Sequence, residues 1–310
     1  MAVKTPLRMV DLRVSTLPTI SGEKVVLRIL DRNAAVHRIE ELGLNGHDSE
    51  RVLHMVNQPQ GIILATGPTG SGKTTTLYAL LQHAATPEKN YITVEDPVEY
   101  LMDMAGQVFV RERIGLDFAT VLRAILRQDP DVILLGEIRD AESAQVAFQA
   151  ALTGHLVYST LHTNSAIATI ARLYDLGLRP HVVASALGGI IAQRLVRRIC
   201  SDCREQIVPD SSLLQQLGAK FADPSLVTYK GRGCGRCNHS GYRGRLALYE
   251  VLVPSDILRE RISAGVGLAE IGQLARQEGV GSLLEDAVDK VKSGMTTLEE
   301  VLRVLGAQLD

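Results

Sequence analysis

Gly61-Ile62-Ile63-Leu64-Ala65-Thr66 runs directly into Gly67-Pro68-Thr69-Gly70-Ser71-Gly72-Lys73-Thr74, and Thr75-Thr76-Leu77-Tyr78-Ala79-Leu80-Leu81 follows. The middle stretch satisfies G-x-x-x-x-G-K-[ST] at every position. The first is a short apolar run of the buried-strand kind, and the last is compatible with a helix. Strand, glycine loop and helix, in that order, are the context a phosphate-binding loop requires. Glycines let the backbone curl so that its N–H groups point at a phosphate. Lys73 adds a point charge for the β/γ oxygens, and the Thr74 hydroxyl is placed to ligate Mg²⁺. Residues Gly67 to Thr75 are therefore the expected cradle for a nucleoside triphosphate, with Thr75 opening the helix.

The same alternation continues downstream. Strand-like runs at Tyr91–Val94, Val132–Leu135 and His155–Ser159 are separated by helical runs at Thr74–His83, Phe118–Arg127 and Ala141–Leu152. This predicts an α/β domain with a mainly parallel sheet. Upstream, Val10, Leu12 and Val14 alternate with polar residues. Val25-Val26-Leu27 repeats the theme after a turn at Ser21-Gly22, which predicts two short strands within residues 9–30. Two strands do not make a stable domain alone, so they read as the tail of a larger unit or as a flap on the rest. His47-Asp48-Ser49-Glu50 ahead of Val52, Leu53 and Val56 predicts a capped helix. Residues 255–308 read as short helices, with Leu283, Leu284, Ala287, Val288 and Val291 at helical spacing.

Composition narrows the function. The net charge is −2, so no global basic field recruits nucleic acid, and with no Trp and 4 Phe there are few stacking platforms for single strands. No apolar run approaches the ~20 residues that cross a bilayer, and the first residues carry no secretory h-region. A cytosolic location follows by default.

Two further groups of residues carry chemistry. Asp131-Val132-Ile133-Leu134-Leu135-Gly136-Glu137 is an apolar strand ending in a carboxylate, with Gly136 where an Asp commonly stands. Glu137 is the expected holder of the Mg²⁺ water shell. Glu95-Asp96-Pro97-Val98-Glu99 follows the strand Tyr91–Val94 and places three carboxylates at a strand C-terminus, where open α/β sheets bind ligands. One of them is a candidate base or water orienter. His155 and His162 flank the strand Leu156–Ser159. Arg123 and Arg127 lie four apart on one helix face, either solvated or reaching phosphates or a neighbouring subunit.

All four cysteines fall in two C-x-x-C pairs, Cys200/Cys203 and Cys234/Cys237. In a reducing compartment this reads as a closed four-sulfur Zn²⁺ site of structural type. Residues 204–233 between the pairs exceed the usual ribbon spacing, so two knuckles joined by an insertion are expected. Basic side chains from Arg194 to Arg245 crowd the segment, either as a solvated face or as a surface for an acidic partner or anionic lipid headgroups.

In order, these stretches resemble the Walker A, Asp box, Walker B and His box (Thr153-Gly154-His155-Leu156 through Thr160-Leu161-His162-Thr163) of the secretion ATPase superfamily. With the two cysteine pairs the chain is similar to the assembly ATPases of type II secretion and type IV pilus biogenesis. Pilus-retraction and type IV secretion members generally lack those pairs. The resemblance implies a RecA-like P-loop ATPase core preceded by a partial β segment, with a tetracysteine insertion and a C-terminal helical part. The corresponding spans are 1–36 for the end of an arginine-bearing N-terminal domain, 37–195 for the core, 196–250 for the zinc subdomain and 251–310 for the helices.

The resemblance also implies roles. Glu99 matches the catalytic base, Glu137 the Walker B glutamate and His162 the His-box residue near the γ-phosphate. Arg13 and Arg28 match arginines brought to the nucleotide from the N-terminal domain. ATP, Mg²⁺ and Zn²⁺ are the implied cofactors. A homo-hexamer beside an inner-membrane platform protein, extruding pilin or pseudopilin subunits, is the implied assembly, in the cytoplasm and peripheral to the inner membrane. The longer N-terminal region that docks such ATPases is expected to be missing. The alternatives are a retraction or DNA-uptake motor of the same superfamily, and a nucleotide-gated binding module without productive turnover.

Overall fold

A computed structural model describes residues 2–4, 9–30, 36–111, 114–209, 214 and 227–306. Its first unit is a three-stranded antiparallel sheet of β1 (Ala2–Lys4), β2 (Met9–Thr19) and β3 (Gly22–Leu30), in that order. The expected hairpin is present. Its residues alternate between two faces: Leu12, Val14 and Thr16 pair with Ile29, Leu27 and Val25 on one, and Arg13 pairs with Arg28 on the other.

Residues 31–35, which follow the hairpin, lie outside the described residues. Beyond them, α1 (Gly46–Val56) is capped by Asn45, whose side chain accepts from the Asp48 amide at 2.8 Å. The cap thus stands two residues ahead of the His47–Glu50 cluster that suggested it.

The core is a seven-stranded sheet. It contains β4 (Gly61–Thr66), β5 (Tyr91–Glu95), β6 (Ala105–Phe109), β7 (Val132–Leu135), β8 (Leu156–Leu161), β9 (Leu187–Ile199) and a last strand, Tyr242–Leu252, in spatial order last-9-4-8-7-5-6. Every pairing is parallel except the one between β9 and the last strand. Helices cover both faces, which is why the central strands β4 and β7 read as buried apolar runs instead of alternating. Ile62, Leu64, Ile133, Leu135 and Val157 pack on one side against α3 (Phe118–Ile125), α4 (Ala141–Leu152), α5 (Ala166–Asp175) and α6 (Pro180–Ala186). Ile63, Ala65, Leu134 and Tyr158 pack on the other against α1 and α2 (Lys73–His83). Gly189 lets β9 pass α1: a Cβ there would lie 1.9 Å from the Met55 Sδ.

Between β9 and the last strand the chain makes an excursion through the small antiparallel pair β10 (Arg204–Ile207) and β11 (Thr228–Gly231), then returns as β12 (Tyr242–Leu252). Residues 210–213 and 215–226 of the expected insertion lie outside the described residues. The expected divisions at 195/196 and 250/251 fall inside β9 and β12, because both strands belong to the core sheet while the cysteines sit on the loop they enclose. Four helices follow: α7 (Asp256–Ser263), α8 (Leu268–Gln277), α9 (Leu283–Lys292) and α10 (Leu298–Leu305). Ile262, Ile271 and Ala275 join the α5/α6 core, whereas Leu283, Ala287, Val291, Val301 and Leu305 close over Val196 and Leu248 of β9 and β12. Among the described residues no helix is long and apolar enough to cross a membrane.

Candidate nucleotide site

β4 ends at Thr66 and the loop turns at once. Gly67 (φ +148°) and Gly72 (φ +91°) hold conformations that L side chains rarely adopt. A Cβ on Gly67 would also lie 2.5 Å from both the Ser71 Oγ and the Gln193 carbonyl oxygen. The loop delivers Lys73 to the first turn of α2, where the helix presents unpaired N–H groups to an anion. Lys73 is buried, and its Nζ donates to the carbonyls of Gly67 (2.8 Å) and Pro68 (3.1 Å), spanning the cradle. Burial pushes its ammonium pKa down, while Glu137 pulls it up. Thr69 to Thr75 line one wall of a cleft of about 680 Å³.

The opposite wall comes from the ends of β5, β7 and β8, where ligands collect in parallel sheets. The three carboxylates of the acidic turn do different work. Glu95 points inward and is 3% exposed, with its two oxygens accepting from Thr93 Oγ1 (2.6 Å) and Tyr78 OH (2.6 Å). Gln107 Nε2 in turn donates to Tyr78 OH and to the Tyr100 carbonyl. This carboxylate lies in the cleft wall and ties α2 to β5, with each oxygen accepting from a hydroxyl. Asp96 is exposed. Glu99 lines the cleft, and burial raises its carboxyl pKa against the opposing pull of Arg28 and Lys73. A carboxylate with raised basicity facing two cations is suited to accept a proton from water.

Gly136 has a packing reason. A Cβ there would sit 3.2 Å from the Val94 carbonyl oxygen and 3.5 Å from Glu95 Cα, so an Asp at this position would press β7 tightly on β5. Thr160 brackets Glu137: its hydroxyl donates to the Gly136 carbonyl (2.8 Å) and its carbonyl accepts from the Ile138 amide (3.0 Å). Burial works against the charge on Glu137, but the hydrogen bond and charge of Arg139, with help from His162, outweigh it and hold the carboxyl below its usual range. His162 Nε2 lies 3.6 Å from Glu137 Oε2, so the two residues meet across the ends of β7 and β8. A carboxylate kept ionised beside Lys73 and Thr74 is suited to a hydrated cation.

Arg28 lines the cleft from β3, whereas Arg13 stands beside it in the ladder and is not among the lining residues. Arg245 is a lining residue that the sequence hid among the basic side chains near the cysteines; pairing of β12 with β9 brings it to the cleft. His155 stands at the start of β8, where its ring Nδ1 bonds the Ala150 carbonyl (2.9 Å), outside the cleft lining. Arg123 pairs with Glu142 and Arg127 donates to the Arg123 carbonyl, so neither reaches the cleft.

The four cysteine Sγ atoms lie within 4.8 Å of one another. The closest pairs are 3.7 Å (Cys234–Cys237), 3.9 Å (Cys200–Cys234) and 3.9 Å (Cys203–Cys237). A tetrahedron with Zn–S bonds of ~2.3 Å has edges of ~3.8 Å, so the spacing fits a four-thiolate Zn²⁺ shell and is far too long for disulfides. The Cys234 amide donates to Cys237 Sγ and pulls that thiol down to about 6. Nearby cations are mostly engaged within the chain: Arg236 and Arg243 with Asp202, Lys230 with Glu205, and Arg197 with Glu300.

A parallel sheet with a glycine loop and basic helix start at one strand end, and carboxylates at its neighbours, defines a P-loop nucleotide-binding fold. Comparison with known proteins places it further. Residues 1–303 match the model of the type II/IV secretion system protein family, and the chain belongs to that family. It is 48% identical over 301 residues to type II secretion system ATPase E of Vibrio cholerae, covering 96% of this chain and 59% of the relative. It is 49% identical over 294 residues to the type IV pilus assembly ATPase PilB of Thermus thermophilus, covering 94% of this chain and 33% of the relative. The chain thus spans between one third and about three fifths of these relatives' length. A crystal structure of the pilus retraction motor PilT with bound ADP superposes with a TM-score of 0.71 at 30% identity, covering 98% of this chain and 76% of that one. The DotB ATPase of Legionella pneumophila shares the fold, with a TM-score of 0.71 at 22% identity over 97% of this chain and 74% of that chain.

Proposed function

We propose that this chain is the ATP-hydrolysing part of a motor for pilin or pseudopilin assembly, in type II secretion or type IV pilus biogenesis. The observation that carries the reading is the convergence of Lys73, Glu99, Glu137 and His162 on one cleft. The likeness to the PilT structure, which holds ADP, supports a nucleotide as the ligand. ATP would lay its phosphates in the loop from Gly67 to Thr75. Thr74 and Glu137 would hold Mg²⁺, which when bound neutralises charge on the phosphate oxygens. Glu99 would take the proton of the attacking water, and His162 would donate to a γ-phosphate oxygen. Arg28, seconded by Arg13, would meet charge that develops in the transition state. Four thiolates would hold a structural Zn²⁺.

Such a motor would work as a homo-hexamer beside a membrane platform protein, in the cytoplasm and peripheral to the inner membrane; the relatives named as a secretion ATPase and a pilus-assembly ATPase support the motor reading itself. The likeness to PilT keeps a retraction or DNA-uptake motor as the second reading, and the four-cysteine cluster favours assembly. Phosphate release with and without Mg²⁺ tests the activity. The proposal expects Mg²⁺-dependent turnover that disappears in Lys73→Ala. Nucleotide binding with no turnover in a ring-forming sample would favour a nucleotide-gated binding module.

A further inference from the structure

β9 is longer than its partner. It pairs with β4 only as far as Ala192, opposite Thr66, and then continues past the point where β4 becomes the phosphate loop. Consecutive strand residues face opposite sides, so Gln193 and Arg194 leave the sheet in opposite directions at that level. Gln193 is 1% exposed, and its Nε2 donates to the Ser71 carbonyl of the loop at 2.7 Å. Arg194 is 4% exposed and turns to the segment after β8. Its Nη2 donates to the Asn164 Oδ1 (3.0 Å) and carbonyl (3.2 Å), and its Nη1 to the Gln193 carbonyl (2.9 Å). Glu250 offsets the charge of Arg194 and accepts from the Ala166 amide at 2.7 Å, so the same segment is gripped at its far end.

Resting on the ATPase reading above, the geometry points to Gln193 and Arg194 as positioning residues that lock the phosphate loop to the segment bearing His162. They form a continuous path: Ser71, Gln193, Arg194, Asn164, and two residues back, His162. A guanidinium that is nearly fully buried and a buried amide are costly in a merely structural core. The cost extends to the Ser71 Oγ and Gln193 Oε1, both buried with no hydrogen-bond partner among the described residues. The path explains their placement. A phosphate that moves the loop moves Ser71, and through this pair it resets His162.

Hydrogen exchange on the full chain, with and without the ATP analogue AMP-PNP and Mg²⁺, tests the lock without relying on turnover. In the wild type, nucleotide should slow exchange in both 67–76 and 161–166. Arg194→Lys keeps the charge but loses the fork. In that variant exchange at 161–166 should be faster at rest, and only 67–76 should respond to nucleotide. Asn164→Ala, at an exposed site, should weaken the response at 161–166 in the same direction and serves if Arg194→Lys does not fold. Turnover gives a second readout: Arg194→Lys should lower kcat about tenfold or more with nucleotide affinity nearly unchanged. Its loss should not multiply with that of His162→Ala. Arg198→Lys, on the same strand, is the control and should behave as wild type. An unaltered response at 161–166 in Arg194→Lys and Asn164→Ala, or multiplicative losses with His162→Ala, overturns the inference. A wild type whose loop ignores nucleotide counts against the ATPase reading instead, and resting exchange at 161–166 that is equal in wild type and variants then refutes the lock separately.

Discussion

Arg13 and Arg28 stand directly opposite each other across the β2–β3 ladder, on the face whose Arg28 lines the nucleotide cleft. Like charges in register repel, so the arrangement disfavours the isolated hairpin and favours an anion between them. Arg28→Ala is expected to lower kcat by about a thousandfold or more, within the range that arginines delivered to phosphates contribute elsewhere. Arg13→Ala should cost less, because Arg13 acts from beside the cleft. Steady-state phosphate release at saturating nucleotide checks both. Equal turnover in Arg28→Ala would remove the hairpin from the chemistry.

Glu99 should separate binding from hydrolysis. Glu99→Gln is expected to keep nucleotide affinity within a few-fold and to lose turnover by about two orders of magnitude or more. Burial raises its carboxyl pKa while Arg28 and Lys73 oppose the rise. A base works deprotonated, so activity should fall as pH drops through a value above the ordinary 4.5 of glutamate. Removing Arg28 takes away an opposing charge and should move that acid limb to still higher pH. A pH–rate profile of wild type and Arg28→Lys, which retains the charge, should show nearly the same limb.

The cysteine cluster should contain one zinc per chain. Cys203→Ser is expected to lose the metal and to lower Tm by several degrees, because binding energy at a closed site is folding energy. The nucleotide cleft lies outside the cluster, so nucleotide affinity should persist at temperatures where the variant is folded. Elemental analysis alongside thermal unfolding decides it, and full zinc content with unchanged Tm would count against a structural metal.

Glu300 joins the C-terminal helices to the sheet. Its carboxylate, wholly buried, takes Arg197 from β9 at 2.6 Å and Arg303 at 2.8 Å. Burial opposes its charge, but the hydrogen bonds of Arg303 and Arg197 prevail and bring its pKa to about 2. Because the folded value is depressed, its stabilisation is complete above the ordinary 4.5 and is lost as pH falls from there toward about 2. Glu300→Gln should therefore destabilise by about 2 kcal/mol at neutral pH. Denaturant titrations at pH 7 and pH 4 should show that gap narrowing in acid.

What the sequence revealed follows from where its signals are local. The phosphate loop, its flanking strand and helix, and both cysteine pairs are short-range patterns in which one residue fixes its neighbours. The central strands β4 and β7 were legible because burial on both faces makes them apolar runs. β9 was not: Gly188-Gly189 interrupts it, the second glycine for the sake of Met55, and Gln193, Arg194, Arg197 and Arg198 break its apolar run. The first three of those polar residues have partners far along the chain, at Ser71, Asn164 and Glu300, which no window around them reveals. The acidic turn was located but its carboxylates could not be told apart, since it is the hydroxyls of Tyr78 and Thr93 that engage both oxygens of Glu95 at the cleft wall. Arg245 was visible and assigned to the wrong neighbourhood, because strand pairing and not sequence proximity carries it to the nucleotide site.

Calorimetric titration of the folded chain with ADP and Mg²⁺ tests the phosphate cradle most directly. The account predicts saturable binding in the wild type and at least about a hundredfold weaker binding in Lys73→Ala, since one ammonium to phosphate is worth several kcal/mol in a partly buried site. Heat indistinguishable from dilution in the wild type, or equal affinity in Lys73→Ala, would contradict it.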